Sequence, residues 1–198
     1  AHSKIVTGKA LTLRPLKIIN QLQVGDLVHV DFNTLILRIT DISTRKKGYV
    51  LAQPIQSGCS GNNKAVVIDP IIKRVLPLPP LSKKDLRAIT IGLRYGVRHI
   101  AVSYVRKGED IDIVRQKTKN KMQIISKIEC LDALQNLDEI IDKSDALLLD
   151  RGDLSKEIPV ERIPFTQKEV IRRATKAGVP VYVATNLLET MVEKSKQT

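Results

Sequence analysis

The chain has no tryptophan, only two phenylalanines and four tyrosines. Proteins that hold single-stranded nucleic acid stack bases on aromatic rings, so nucleic acid is not an expected partner. There are two cysteines, Cys59 and Cys130, in different segments. Two isolated thiols make neither a zinc-site spacing nor a disulfide framework. Each reads as a small structural thiol in a reduced, cytoplasmic setting. No apolar run reaches about 18 residues, so no membrane-spanning helix is expected. The opening AHSKIVTGKAL lacks the apolar stretch of a signal peptide. It also lacks an initiator methionine, and KSKQT ends the chain without a helix cap. The expectation is a fragment of a longer protein.

What the chain does have is positive charge: 33 basic against 21 acidic residues, a net +12. The basic residues are dispersed, with Arg45, Lys46 and Lys47 the densest run. A basic surface attracts nucleic acid, but it also steers phosphorylated small molecules. The apolar fraction of 42% is enough for a core, and 198 residues allow one domain or two small ones.

The pattern divides near residue 76. Residues 1–76 read as β-rich. LVHVDF, TLILRITDI, GYVLAQPI and KAVVIDPI are short β-prone runs separated by the turn signals VGD, KKG and SGCSGNN. A small antiparallel barrel or sandwich is expected. Pro77, Pro79 and Pro80 form a stiff hinge, after which Ser82 reads as a helix N-cap with Asp85 in a capping-box position. Residues 77–198 then alternate helix and strand. Helices are expected over 82–95, 108–118, 131–142, 164–177 and 186–194, and strands over 97–104, 122–128, 145–150 and 179–185. The near-continuous apolar strands are those of a buried parallel sheet, so the fold class is α/β. About four βα units do not close an eight-stranded barrel, and two sheet edges would be left open.

Polar residues gather at the C-terminal ends of these strands: Ser103 and Arg106, then Lys127 and Glu129, then Asp150 to Asp153, then Thr185 and Asn186. In parallel α/β proteins ligands bind at that edge. Lys127 and Glu129 are two apart on a strand and share a face. Asp153 follows the next strand and comes within reach if the two strands are neighbours. A lysine between two carboxylates suits a divalent metal and an anionic substrate. The competing structural reading is a plain ion pair on a sheet face. His29 and His99 read as structural, and no serine-, cysteine- or histidine-based nucleophile arrangement stands out.

The segments LPPLSKKDLRAITIGLRYGV, IAVSYVRKGEDI, IISKIE, SDALLLDRGDLSKEIP and QKEVIRRATKAGVPVYVATNLLETM resemble pyruvate kinase, in order and with that family's spacing. The resemblance covers roughly residues 75–198, and KIVTGK resembles the family's approach to its lid. It implies a partial (β/α)8 TIM barrel, strands three to six, at 77–198, with an N-terminal all-β lid at 1–76. It implies transfer of a phosphoryl group from phosphoenolpyruvate to ADP, giving pyruvate and ATP, in glycolysis. Glu129 and Asp153 would hold Mg2+ or Mn2+. Lys127 would neutralise the phosphoryl group in transit, and Thr185 would stand near the face where enolpyruvate is protonated. Arg151, the Gly152 and Asp153 amides, Ser103 and Arg106 would complete the substrate pocket. No nucleotide-binding residue is assigned, and the ligands of a K+ ion lie outside the chain. Homo-oligomerisation, a cytoplasmic location and no membrane association are the further implications.

Several positions depart from the pattern. Val6 stands where the family has a lid arginine, which removes charge and bidentate hydrogen bonding together. Phe32 and Asn33 are atypical beside the retained Asp31, Cys130 replaces an asparagine, and Asp150 replaces a small residue before RGD. Ser155 replaces a glycine and Asn186 a glutamine. Asp150 adds negative charge that would either tighten the metal or repel the phosphate. The alternative implied is a weakened paralogue that binds phosphoenolpyruvate or a keto acid as a regulatory protein. A basic module for RNA or acidic partners is the third possibility, and the Lys127, Glu129 and Asp153 set argues against it.

Overall fold

The computed structural model describes residues 10–31, 34–58, 61–72, 74, 76 and 78–185. Val6, Phe32, Asn33, Cys59, Pro77, Asn186 and the helix expected over 186–194 lie outside the described residues. The chain separates into two compact units, Ala1–Leu78 and Pro79–Thr198.

In the first unit the four β-prone runs become β1 (Leu27–Val30), β2 (Leu35–Asp41), β3 (Leu51–Gln56) and β4 (Val66–Asp69). They form one antiparallel sheet in the order β3-β2-β1-β4. Among the described residues that order is open, with β3 and β4 at its edges. Val28, Val30 and Ile39 bury one face together with Leu22. Two short 3-10 turns, Leu16–Gln21 and Arg45–Lys47, lie outside the strands. The sheet is anchored by Asp26, which follows the VG turn signal. Its fully buried carboxylate accepts from the amides of Gln23 at 2.7 Å and Ile71 at 3.2 Å and pairs with Arg74.

The second unit begins with α1 (Lys83–Arg94), whose N-terminus carries the expected capping box. The Ser82 hydroxyl accepts from the Asp85 amide at 3.2 Å, and the Asp85 carboxylate accepts from the Ser82 amide at 2.8 Å. The chain continues through β5 (His99–Val102), α2 (Gly108–Lys117) and β6 (Gln123–Ile128). After β6 the expected single helix over 131–142 is two helices, α3 (Leu131–Gln135) and α4 (Leu137–Lys143). The break falls at Asn136, whose side-chain amide donates to the Arg106 carbonyl at 2.8 Å. The backbone bonds continue through the break, from the Asn136 amide to the Asp132 carbonyl at 3.0 Å and from the Ile140 amide to the Asn136 carbonyl at 3.1 Å, so it is a local distortion of Asn136 (φ −106, ψ 26). Next come β7 (Ala146–Asp150), the single turn α5 (Arg151–Leu154), α6 (Ile163–Lys176) and β8 (Val181–Ala184). Gly178, at φ +73, follows α6 in the left-handed conformation that glycine adopts without strain.

β5, β6, β7 and β8 form one parallel sheet in chain order. Ile124, Ile128, Leu147 and Leu149 point one way, into a core shared with Val114, Ile140, Val170 and Ala174 from the helices. Successive strand residues alternate faces, so Lys127, Glu129, Leu148 and Asp150 turn to the other face. The central strands are the most buried, whereas the edge strands β5 and β8 are largely half-exposed or exposed.

Candidate functional site

Strand register assembles the site. Ile128 pairs with Leu149, and Asp150 pairs with Ala184. One residue further along, Glu129 therefore stands level with Asp150, and Thr185 follows immediately on β8. Strand-end groups far apart in sequence become neighbours at one edge of the sheet.

Lys127 lies between two carboxylates. Its ammonium touches Glu129 Oε1 and is 3.3 Å from Asp150 Oδ2. Glu129 is 1% exposed. Its Oε2 accepts from the Tyr104 amide at 2.7 Å. Its buried Oε1 is met by the Lys127 ammonium alone among the described residues. Burial pushes the Glu129 carboxyl above its ordinary value, against the opposing pull of Lys127 and the Tyr104 amide. Burial also opposes the charge on Lys127, but its two carboxylate partners outweigh it and hold the ammonium above its usual value.

Asp150 occupies the N-cap of α5. Its Oδ1 accepts from the Asp153 amide at 3.3 Å and lies 3.0 Å from Thr185 Oγ1. Burial would raise its pKa. The Asp153 amide, the Thr185 hydroxyl and Lys127 prevail and hold it below the ordinary carboxylate value. The Thr185 hydroxyl accepts from the Gly152 amide at 2.8 Å and is 2.7 Å from the Ala184 carbonyl. It has one proton, so it donates to Asp150 or to Ala184 at any moment. Thr185 has φ +63, a left-handed conformation that is an outlier for a β-branched residue.

The Asp153 carboxylate touches Lys156 and is hydrogen-bonded to the Tyr104 phenol, whose pKa is raised by burial first and then by Asp153 and Glu129. Arg151 Nε donates to the Thr185 carbonyl at 3.1 Å, and its Nη1 is 3.3 Å from Gln167 Oε1 on α6. Six expected residues thus converge: Lys127, Glu129, Arg151, Gly152, Asp153 and Thr185. Ser103 lines a separate cavity of about 430 Å3 between α1 and β5. Arg106 directs Nε toward Asp110, 3.6 Å away.

Tyr104 and Lys156 are additions that the sequence reading missed. Lys156 was discoverable, since residues three apart on a helical turn meet, but the RGDL segment reads as a plain turn. Nothing local marks the Tyr104 amide as a partner of Glu129.

Carboxylate oxygens of Glu129, Asp150 and Asp153 lie within 4.8 Å of one another. Hard divalent cations take oxygen ligands at roughly 2.0–2.6 Å, so one ion spans such a group. The buried, poorly served Glu129 Oε1 is the atom that such an ion would satisfy. The donor set therefore fits Mg2+ or Mn2+.

A family model described as pyruvate kinase, barrel domain, matches residues 2–198. The pyruvate kinase of Sporosarcina psychrophila is 36% identical over 186 residues, covering 92% of this chain and 31% of that protein. That of Staphylococcus aureus (strain MRSA252) is 35% identical over 184 residues, covering 91% and 31%. That of Dictyostelium discoideum is 33% identical over 184 residues, covering 91% and 36%. The chain spans about a third of the length of these curated relatives. Among the described residues no helix is long and apolar enough to cross a membrane.

Proposed function

The chain belongs to the pyruvate kinase family, and from that premise we propose that its second unit carries the phosphoryl-handling site of a phosphotransferase. The reaction is transfer from phosphoenolpyruvate to ADP, giving pyruvate and ATP. Residues 77–198 would be an arc of a (β/α)8 barrel, strands three to six, and residues 1–76 a lid. The sequential parallel order β5-β6-β7-β8, with helices between the strands, supports the barrel reading. A cytoplasmic homo-oligomer is the expected setting.

The observation that carries the proposal is the meeting of Lys127, Glu129 and Asp153 at one sheet edge. Phosphoryl transfer depends on positioning and charge stabilisation more than on covalent chemistry by the protein. Glu129 and Asp153 would hold Mg2+ or Mn2+, with Asp150 beside them. When bound, the ion supplies positive charge to the phosphoryl oxygens. Lys127, whose ammonium lies against Glu129 and Asp150, would add its charge beside the same oxygens. Arg151 holds the end of β8 through the Thr185 carbonyl, and the Thr185 hydroxyl would hold a proton near the enol carbon. The Gly152 and Asp153 amides and Arg106 would shape the substrate pocket, whereas Ser103 lines the separate cavity beside α1. A K+ ion, if used, would take ligands from outside this chain.

A coupled assay of pyruvate formation by the intact protein with Mg2+ tests this, with Lys127→Met as the control. Pyruvate formation that is abolished in Lys127→Met is the expected result. Equal rates in the two proteins would refute the role of Lys127.

One observation favours a second reading, a weakened family member that binds phosphoenolpyruvate or a keto acid as a regulatory protein. Lys127 is already engaged by two carboxylates, Glu129 and Asp150. Calorimetric binding of phosphoenolpyruvate together with no pyruvate formation in the coupled assay would select it.

A further inference from the structure

Asp150 has two faces toward the site. Oδ2 lies 3.3 Å from the Lys127 ammonium. Oδ1 takes the Asp153 amide and stands within hydrogen-bond distance of the Thr185 hydroxyl. The remaining amide, that of Gly152, is taken by Thr185 in turn. One internal carboxylate thus directly engages three of the groups that an incoming anion would use, and it occupies the fourth through Thr185. We infer that Asp150 is a specificity-determining residue that acts as a built-in competitor of the anionic substrate.

The inference rests on the reading of the site as a phosphoenolpyruvate site, and it adds the direction in which this chain has shifted it. Asp150 is 9% exposed, so its charge is poorly screened. A phosphate approaching Lys127 must displace it or share one ammonium with it and with Glu129, and like charges at one site repel. Displacement carries a second cost, because the same carboxylate caps α5 through the Asp153 amide. The charge balance points the same way. In direct contact, two ammonium groups, Lys127 and Lys156, face the three carboxylates of Glu129, Asp150 and Asp153, while the Arg151 guanidinium is turned to the Thr185 carbonyl and Gln167. Such a site takes a cation readily and an anion reluctantly.

Asp150→Asn tests this in the intact protein. Asparagine keeps an oxygen that can cap α5 and removes the charge. Asp150→Ser serves the same purpose should the amide disturb the fold. Phosphoenolpyruvate binding is measured by calorimetry at saturating Mn2+, with circular dichroism as the check on folding. The expected result is binding at least about tenfold tighter than in the parent, a difference of about 1.4 kcal/mol. Folded variants that bind Mn2+ but hold phosphoenolpyruvate no tighter than the parent overturn the inference and leave the metal site standing. Absence of phosphoenolpyruvate binding in the parent and both variants overturns the inference together with the functional reading beneath it.

Discussion

The Gly152 amide and the Thr185 hydroxyl meet at 2.8 Å, joining the turn after β7 to the end of β8. A Cβ at 152 would stand 3.1 Å from Thr185 Oγ1, so the hydroxyl would have to give way by a few tenths of an ångström. Gly152→Ala is therefore expected to push the hydroxyl out of line while leaving the sheet intact. A misplacement of about 1 Å can cost roughly 100-fold; the smaller shift here should lower the rate by several-fold. Steady-state kinetics beside circular dichroism reads the effect. A folded Gly152→Ala protein with the parental rate would remove Thr185 from the chemistry.

Asp26 makes the first unit acid-sensitive. Burial works to raise its pKa, but the Arg74 pair and the Gln23 and Ile71 amides outweigh burial and hold it below the usual value. An unfolded aspartate titrates near about 3.9. A lowered folded pKa stabilises the fold above that value, and the contribution is lost as pH falls through the folded value. Asp26→Asn should lower stability at pH 7 by about 1.5–3 kcal/mol, because it removes the carboxylate from the partly exposed Arg74, which keeps the Gln21 carbonyl. Denaturant unfolding should show the gap between parent and variant narrowing below about pH 4. A gap independent of pH would contradict the assignment.

The pleat of β7 gives a third test. Leu147 is fully buried against the helices, whereas Leu148 is on the opposite face and only partly buried. Leu147→Ala should cost about 2–5 kcal/mol, and Leu148→Ala clearly less. Urea unfolding of the two variants measures the difference. Equal losses would mean that the faces of β7 are wrongly assigned.

Much of this arrangement was legible from local signals. The apolar runs at 27–32, 34–42, 48–55 and 64–71 located all four strands of the first unit, and Ser82 with Asp85 announced the start of α1. The two-residue spacing of Lys127 and Glu129 put both on one face because strand periodicity allows nothing else. Non-local contacts were not legible. The Asn136 side chain, at the division of α3 from α4, bonds Arg106, 30 residues away in sequence. The Tyr104 amide reaches Glu129 across 25 residues. Asp150 was visible as an extra charge, but its simultaneous hold on Lys127, Thr185 and the Asp153 amide depends on the register of β7 against β8, which composition does not encode.

Manganese binding to the intact protein, followed by the paramagnetic resonance of the free aqua ion, tests most directly whether Glu129 and Asp153 share one divalent cation. The parent should bind, Glu129→Gln and Asp153→Asn should each weaken binding by roughly tenfold or more, and the exposed Asp138→Asn should leave it unchanged. Unaltered manganese affinity in both site variants would contradict the account.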